Sequence, residues 1–249
     1  MKTKLLLLFI FYTLTAYTQP ATEKKLPWDY PVKPGMEEWE QLKTPQERIA
    51  ICQIPSDILT SLSTQDLAYI CMQYPNLLVT VFWSPYERGL DSLYREFNGI
   101  RELLKRKDAF KGLLNWYNAT LQNLSFLNED VPLVEKGFFS LRIAIAELLL
   151  SRCQLSDDPN NNYVDIVRHL VRGYEKKFAY PESFTDYSFS INCFSRAKII
   201  SKMDEQYIDR MSMSGSNSIF TRKHLDEQTR RAIDNLSYQI IKRVLTKDR

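Results

Sequence analysis

VEKGFFSLRIAIAELLLSRC, residues 134–153, is the most hydrophobic helix that the chain encodes. Ile143-Ala144-Ile145-Ala146 and Leu148-Leu149-Leu150 leave it no polar face, and a helix apolar on every side has to be buried by other elements. Arg142 and Glu147 lie within it, which counts against a membrane span. The stretch therefore decides for an all-α domain that encloses it.

Outward from there the 3.6-residue period continues. Thr44-Pro45-Gln46-Glu47 combines a threonine cap, a proline at the first helical position and a capping-box glutamate, and Pro55 is expected to end that helix. Ser63-Thr64-Gln65-Asp66 opens another, with Leu67, Ile70, Cys71 and Tyr74 on one face and Pro75 as its stop. Ser84-Pro85-Tyr86-Glu87 repeats the device ahead of Leu90, Leu93, Tyr94 and Phe97. Asn98-Gly99 is expected to break that helix, with helices over 100–105 and 108–118 after it and a connector over 124–132. Downstream, 161–178, 189–203 and 221–246 are helical, the last with the stripe Leu225, Ala232, Leu236, Ile240 and Val244. Leu77–Trp83 has strand composition, but Pro75 and Pro85 bracket it too tightly for a central strand. The fold class is all-α: a single domain of stacked short helices over 37–249, an irregular α-solenoid or helical-hairpin array without a fixed repeat. Pro20, Pro27, Pro31 and Pro34 make 19–36 an extended strap, with Trp28 and Tyr30 to anchor it in surface grooves.

Lys2 and Lys4, the apolar run LLLLFIFY at 5–12 and the small or polar residues after it read as a secretory signal peptide over 1–18. The run falls short of the roughly 20 residues that span a bilayer as a helix. Its removal takes two lysines and no acid, so the formal charge of +3 becomes +1, too small to imply nucleic acid. Export makes disulfides available, and of Cys52, Cys71, Cys153 and Cys193 the favoured pair is Cys52–Cys71. Cys52, Cys71 and Cys193 nevertheless each adjoin an apolar residue (Ile51, Ile70 and Phe194), as buried free thiols do. The seven glycines, no two closer than ten residues, exclude Gly-rich phosphate loops. His169 and His224 are too far apart in sequence for a paired-histidine metal motif, and no cofactor is indicated.

Tyr30-Pro31-Val32-Lys33-Pro34-Gly35, Glu38-Trp39, Cys52-Gln53-Ile54-Pro55 with Leu59, Ser63-Thr64, Leu67, Cys71, Tyr74-Pro75 and Phe97-Asn98-Gly99-Ile100-Arg101-Glu102-Leu103 form a further pattern. It resembles a group of exported helical proteins of gut and oral Bacteroidota, over roughly residues 28–110. The resemblance implies a helical fold and an envelope or extracellular location, and it brings no activity, cofactor or active site with it.

Candidate chemistry is sparse. Asp157-Asp158-Pro159-Asn160-Asn161-Asn162 fails as a calcium loop, since Tyr163 and His169 stand where glycine and glutamate belong, and it reads as a helix-capping turn. Glu147 is a carboxylate in an apolar helix, for which Arg168 or Arg172 is the expected ion-pair partner. Asp165, Arg168, His169 and Arg172 share one helical face, read as solvated, on which Asp165 is placed to orient His169. Met211–Ser218 reads as a linker, and the basic helix over 222–249 as docked on its own domain. Trp28, Trp39, Trp83, Tyr86 and Trp116 are the aromatic binding candidates, provided that they are exposed. The function expected is that of an exported, non-enzymatic module binding a protein or an envelope component. The alternatives are a glycan-binding accessory protein, and an envelope hydrolase or lyase using carboxylates such as Asp165 and Glu147.

Overall fold

Proline, arginine and lysine punctuate the helices of this chain more than glycine does. The computed structural model describes residues 25–77, 86–128, 130–155, 159–203, 220 and 224–247. The signal segment, Trp83, the Asp157-Asp158 turn and the Met211–Ser218 linker lie outside the described residues. The helices are α1 Glu37–Gln41, α2 Pro45–Ile51, α3 Ser56–Ser61, α4 Thr64–Met72, α5 Tyr86–Glu96, α6 Asn98–Lys105, α7 Ala109–Gln122, α8 Leu133–Arg152, α9 Pro159–Lys177, α10 Asp186–Met203 and α11 Glu227–Lys247. A 3-10 turn, Leu124–Asn128, joins the connector to α7.

Helix starts follow local chemistry. Thr44 accepts from the Glu47 amide, and the Glu47 carboxylate accepts from the Thr44 amide at 2.9 Å, which completes the capping box of α2. Ser63 caps α4 in the same way through the Asp66 amide. Pro45 and Pro159 occupy first helical positions, while Pro55 and Pro132 are N-caps of α3 and α8. Pro55 thus opens a helix rather than merely ending one, because a residue without an N–H loses nothing in a first turn.

Helix ends are closed by cations. Arg106 donates to the Leu62 and Leu59 carbonyls at 2.7 and 3.1 Å, Lys176 to Leu121 at 3.0 Å, and Lys202 to Ser151 at 2.8 Å. These side chains satisfy the orphan carbonyls and face the negative end of the helix dipole. Gly35, at φ 92°, is the one glycine with positive φ among the described residues.

The break between α5 and α6 falls at Phe97 (φ −116°, ψ 118°), not at Asn98-Gly99, which begin α6. The Phe97 ring is buried and stacks on Tyr74 at 4.2 Å, so the chain turns to keep it inside. Asn98 then clamps Ile54, accepting from its amide at 3.0 Å and donating to its carbonyl at 2.8 Å. Gln53 returns the favour at 3.1 Å by accepting from the Asn98 amide. The Cys52–Ile54 and Phe97–Gly99 motifs are therefore two halves of one joint.

Around α8 the layers are irregular. It packs against α10, α7, α5 and α4, and from Phe139 to Ser151 nearly every residue is buried. Close packing of α7 on α4 needs Gly112, where a Cβ would lie 2.9 Å from the Thr64 carbonyl oxygen. α9, α10 and α11 pack on one another beyond α8. The strap is tied down at Tyr30, which is buried and donates to the Ile70 carbonyl at 2.9 Å, with Trp28 edge-on to its ring. The result is an all-helical single domain of stacked short helices.

Candidate functional site

Glu147 sits in the second half of α8 with no exposed surface, and three further helices converge on it. Lys177, from the last turn of α9, is equally buried and donates to both carboxylate oxygens at 2.7 and 2.9 Å. Tyr117 of α7 and Asn192 of α10 each donate to Oε1 at 2.7 Å. Arg168 and Arg172 are not its partners: Arg168 pairs with Asp165 at 2.9 Å, and Arg172 is exposed. The reason is helical phase, since Lys177 lies on the core face of α9 with Leu170 and Gly173. At Gly173 a Cβ would lie 1.9 Å from the Tyr117 hydroxyl, so the glycine is what lets that hydroxyl reach α8. Burial lowers the Lys177 ammonium from its usual range, opposed by the Glu147 charge, and holds the Tyr117 phenol well above its own.

The Asn192 and Glu147 cluster continues along α10 to Arg196, which is fully buried and donates to Asp234 of α11 at 2.6 Å and to Ser237 at 3.2 Å. Its guanidinium also lies 4.7 Å from the centre of the Tyr174 ring. Both ion pairs are cross-braces between helices, and removing one partner of such a pair leaves a buried charge uncompensated.

A Ser–His–Asp grouping also forms where α10 meets the start of α11. Ser190 Oγ lies 3.3 Å from His224 Nδ1, and His224 Nε2 lies 4.0 Å from Asp186. It lacks the geometry of a nucleophilic triad. Ser190 is fully buried and accepts from the Leu225 amide at 3.2 Å, while Asp186 is held by Arg230 at 3.0 Å. A nucleophile needs an open face and an oriented base, so these residues fasten the 224–225 segment to α10.

The remaining sequence candidates separate cleanly. Trp39, Tyr86 and Trp116 are buried, with Arg48 over the Trp39 ring at 5.5 Å, so none presents a face for stacking. Trp28 is half-buried, and Trp83 lies outside the described residues. His169 is half-buried and 3.9 Å from Asp165, and burial depresses its pKa despite that charge. Cys52 and Cys71 are not bonded to each other. Both are buried thiols, like Cys153 and Cys193, and burial pushes Cys52 up to about 12. Each fills core space as a small apolar residue. Among the described residues no group of His, Cys, Asp and Glu is gathered to hold a metal, and no helix is long and apolar enough to cross a membrane.

A cleft of about 490 Å³ lies between the first half of α8 and the segment leading into α10. Val134, Gly137, Phe138, Leu141 and Ala144 form its apolar wall, and Ser183, Thr185, Tyr187 and Ser188 face them. The α8 residues recur at helical spacing, running from exposed Val134 and Gly137 to buried Leu141 and Ala144. Gly137 is exposed, and a Cβ there would meet nothing within 4 Å. At the mouth, Leu133 is 73% and Val134 60% exposed, and with Val131-Pro132 they make a run of four apolar residues at the surface. The sequence carried a signal for this site in VPLVEKG, an apolar run and a mid-helix glycine where α8 was expected to be covered.

An irregular all-α array with an interior charge network and a cleft along the first half of its central helix is the class that fold and site define. No known protein family, characterised protein or solved structure matches the chain.

Proposed function

We propose that this protein is an exported, non-enzymatic binding module that holds its ligand in the α8 cleft. The observation that carries the proposal is the apolar Val131–Val134 run, exposed at Leu133 and Val134, whose last residue lines a cleft that Gly137 leaves unfilled. Runs of exposed apolar residues cost solubility and mark interaction sites. The short apolar run at 5–12 behind two lysines supports export. A hydrolase or lyase has no comparable support, because the Glu147 carboxylate is buried and engaged by Tyr117, Lys177 and Asn192, and Asp165 is paired with Arg168. A glycan module would need aromatic faces that Trp39, Tyr86 and Trp116 do not offer.

The test is photo-crosslinking in the source cell from a benzophenone side chain at Val134, with one at Met36 as control. An adduct formed from Val134 alone, and lost when Gly137→Leu is added, is the expected result. Equal adducts from both positions, or an adduct indifferent to Gly137→Leu, would place binding elsewhere.

A further inference from the structure

The interior cluster around Glu147 is also a set of reactants. Glu147, Lys177 and Asn192 are all fully buried, and each stands on a different helix. The Lys177 ammonium and the Asn192 amide nitrogen both lie 2.7 Å from one oxygen, Glu147 Oε1. Lys177 Nζ is also 3.4 Å from the Ser188 carbonyl, one turn before Asn192 on α10. An amine, a carboxamide and a carboxylate thus meet in one site, with the Phe184 ring 5.7 Å from Nζ. Arg196, the other buried charged residue, is paired with Asp234. A structural ion pair has no need of Asn192. Its amide nitrogen donates also to the Leu170 carbonyl at 3.0 Å, while its own carbonyl oxygen is buried without a partner. One turn on, Arg196 Nε is a buried donor likewise without one. Such orphan groups are costly, and they sit on the side chain that chemistry would change.

Burial favours the neutral amine of Lys177 over its ammonium. Moving one proton from Nζ to Glu147 replaces two buried charges by two neutral groups and frees the lone pair of a nucleophile. We infer that Lys177 and Asn192 become joined by an intramolecular isopeptide bond, with Glu147 as the acid–base group of the reaction. The Nζ lone pair attacks Asn192 Cγ, the Nζ–Cγ bond forms, and the Cγ–Nδ2 bond breaks. Of the three ammonium protons, one stays on the new amide and one passes through Glu147 to Nδ2, which leaves as ammonia. The third remains on Glu147. No oxidant, cofactor or water takes part, and because both reactants belong to the chain, a buried site is no obstacle. Holding them on one carboxylate makes the step unimolecular. It occurs once per chain and ties the end of α9 covalently to α10, in a protein whose four cysteines are free thiols. It is independent of what the α8 cleft binds.

The experiment is intact-mass measurement of the purified, folded protein, followed by sequencing of its tryptic peptides. A mass below the sequence value by about 17 Da, that of one ammonia, is expected, carried by a branched peptide that joins Lys177 to Asn192. Glu147→Gln keeps the shape of the side chain but cannot take the proton, and should show the full mass of its own sequence. Lys177→Met should do the same. A folded wild-type chain of full mass overturns the inference, and that measurement stands even where a variant fails to fold. An ammonia loss that maps elsewhere, as to Asn98-Gly99, also overturns it. So does a branched peptide that persists in Glu147→Gln.

Discussion

A methyl group added at Gly173 would land 1.9 Å from the Tyr117 hydroxyl, on backbone that cannot retreat without moving α9. Gly173→Ala should therefore cost about 1–3 kcal/mol in chemical denaturation, the usual cost of overpacking. Glu147→Ala should cost more, about 3–5 kcal/mol, since it strands Lys177 without a counter-charge. The double replacement Glu147→Leu with Lys177→Met should recover most of that loss, which a merely steric role for Glu147 would not allow. His169 has a different signature. Its pKa in the fold lies below 6.5, so on acidification the unfolded chain takes up the proton first and the native state loses stability as the pH falls through that value. His169→Gln should flatten the fall in melting temperature between about pH 7 and pH 5.

At the scale of elements, the joint between the Gln53-Ile54 loop and α6 rests on side-chain to backbone bonds rather than on apolar contact alone. Asn98→Ala removes both bonds to Ile54 and should cost about 1–3 kcal/mol in a denaturant titration, with Asn98→Asp losing only the donated bond. A negligible loss in both variants would mean that the α5–α6 joint is held by Phe97 and Tyr74. The same joint shows what sequence could and could not give. The α2 capping box was legible because Thr44 and Glu47 are three residues apart and need no tertiary partner. The role of Asn98 was not, because its partner is 44 residues away and Asn-Gly has a strong local meaning as a turn. α8 was legible from its uniform hydrophobicity, and so was the burial of Glu147. Its partner was not, since the choice between Arg168, Arg172 and Lys177 depends on how α9 is rotated against α8. The residues that could have disclosed the interior network are Ser188, Asn192, Ser195 and Arg196, polar groups on successive turns of an otherwise apolar helix.

For the molecule as a whole, the described interior holds the Glu147–Lys177 and Arg196–Asp234 pairs and four buried thiols, and α8 reaches the surface mainly at its first turns. The four cysteines should accordingly be inert to a thiol reagent in the native state and all react after unfolding without reductant. Fewer than four titratable thiols would show that a disulfide forms after all. The central claim is that the face of α8 around Gly137 is open to a ligand and that the glycine serves no tight contact. Thermal unfolding of Gly137→Ala tests it without any ligand, because glycine in a helix is disfavoured relative to alanine by about 0.5–1 kcal/mol. The account predicts a melting temperature raised by about 2–4 °C, whereas a lowered one would show that the position is packed and that the cleft is not open.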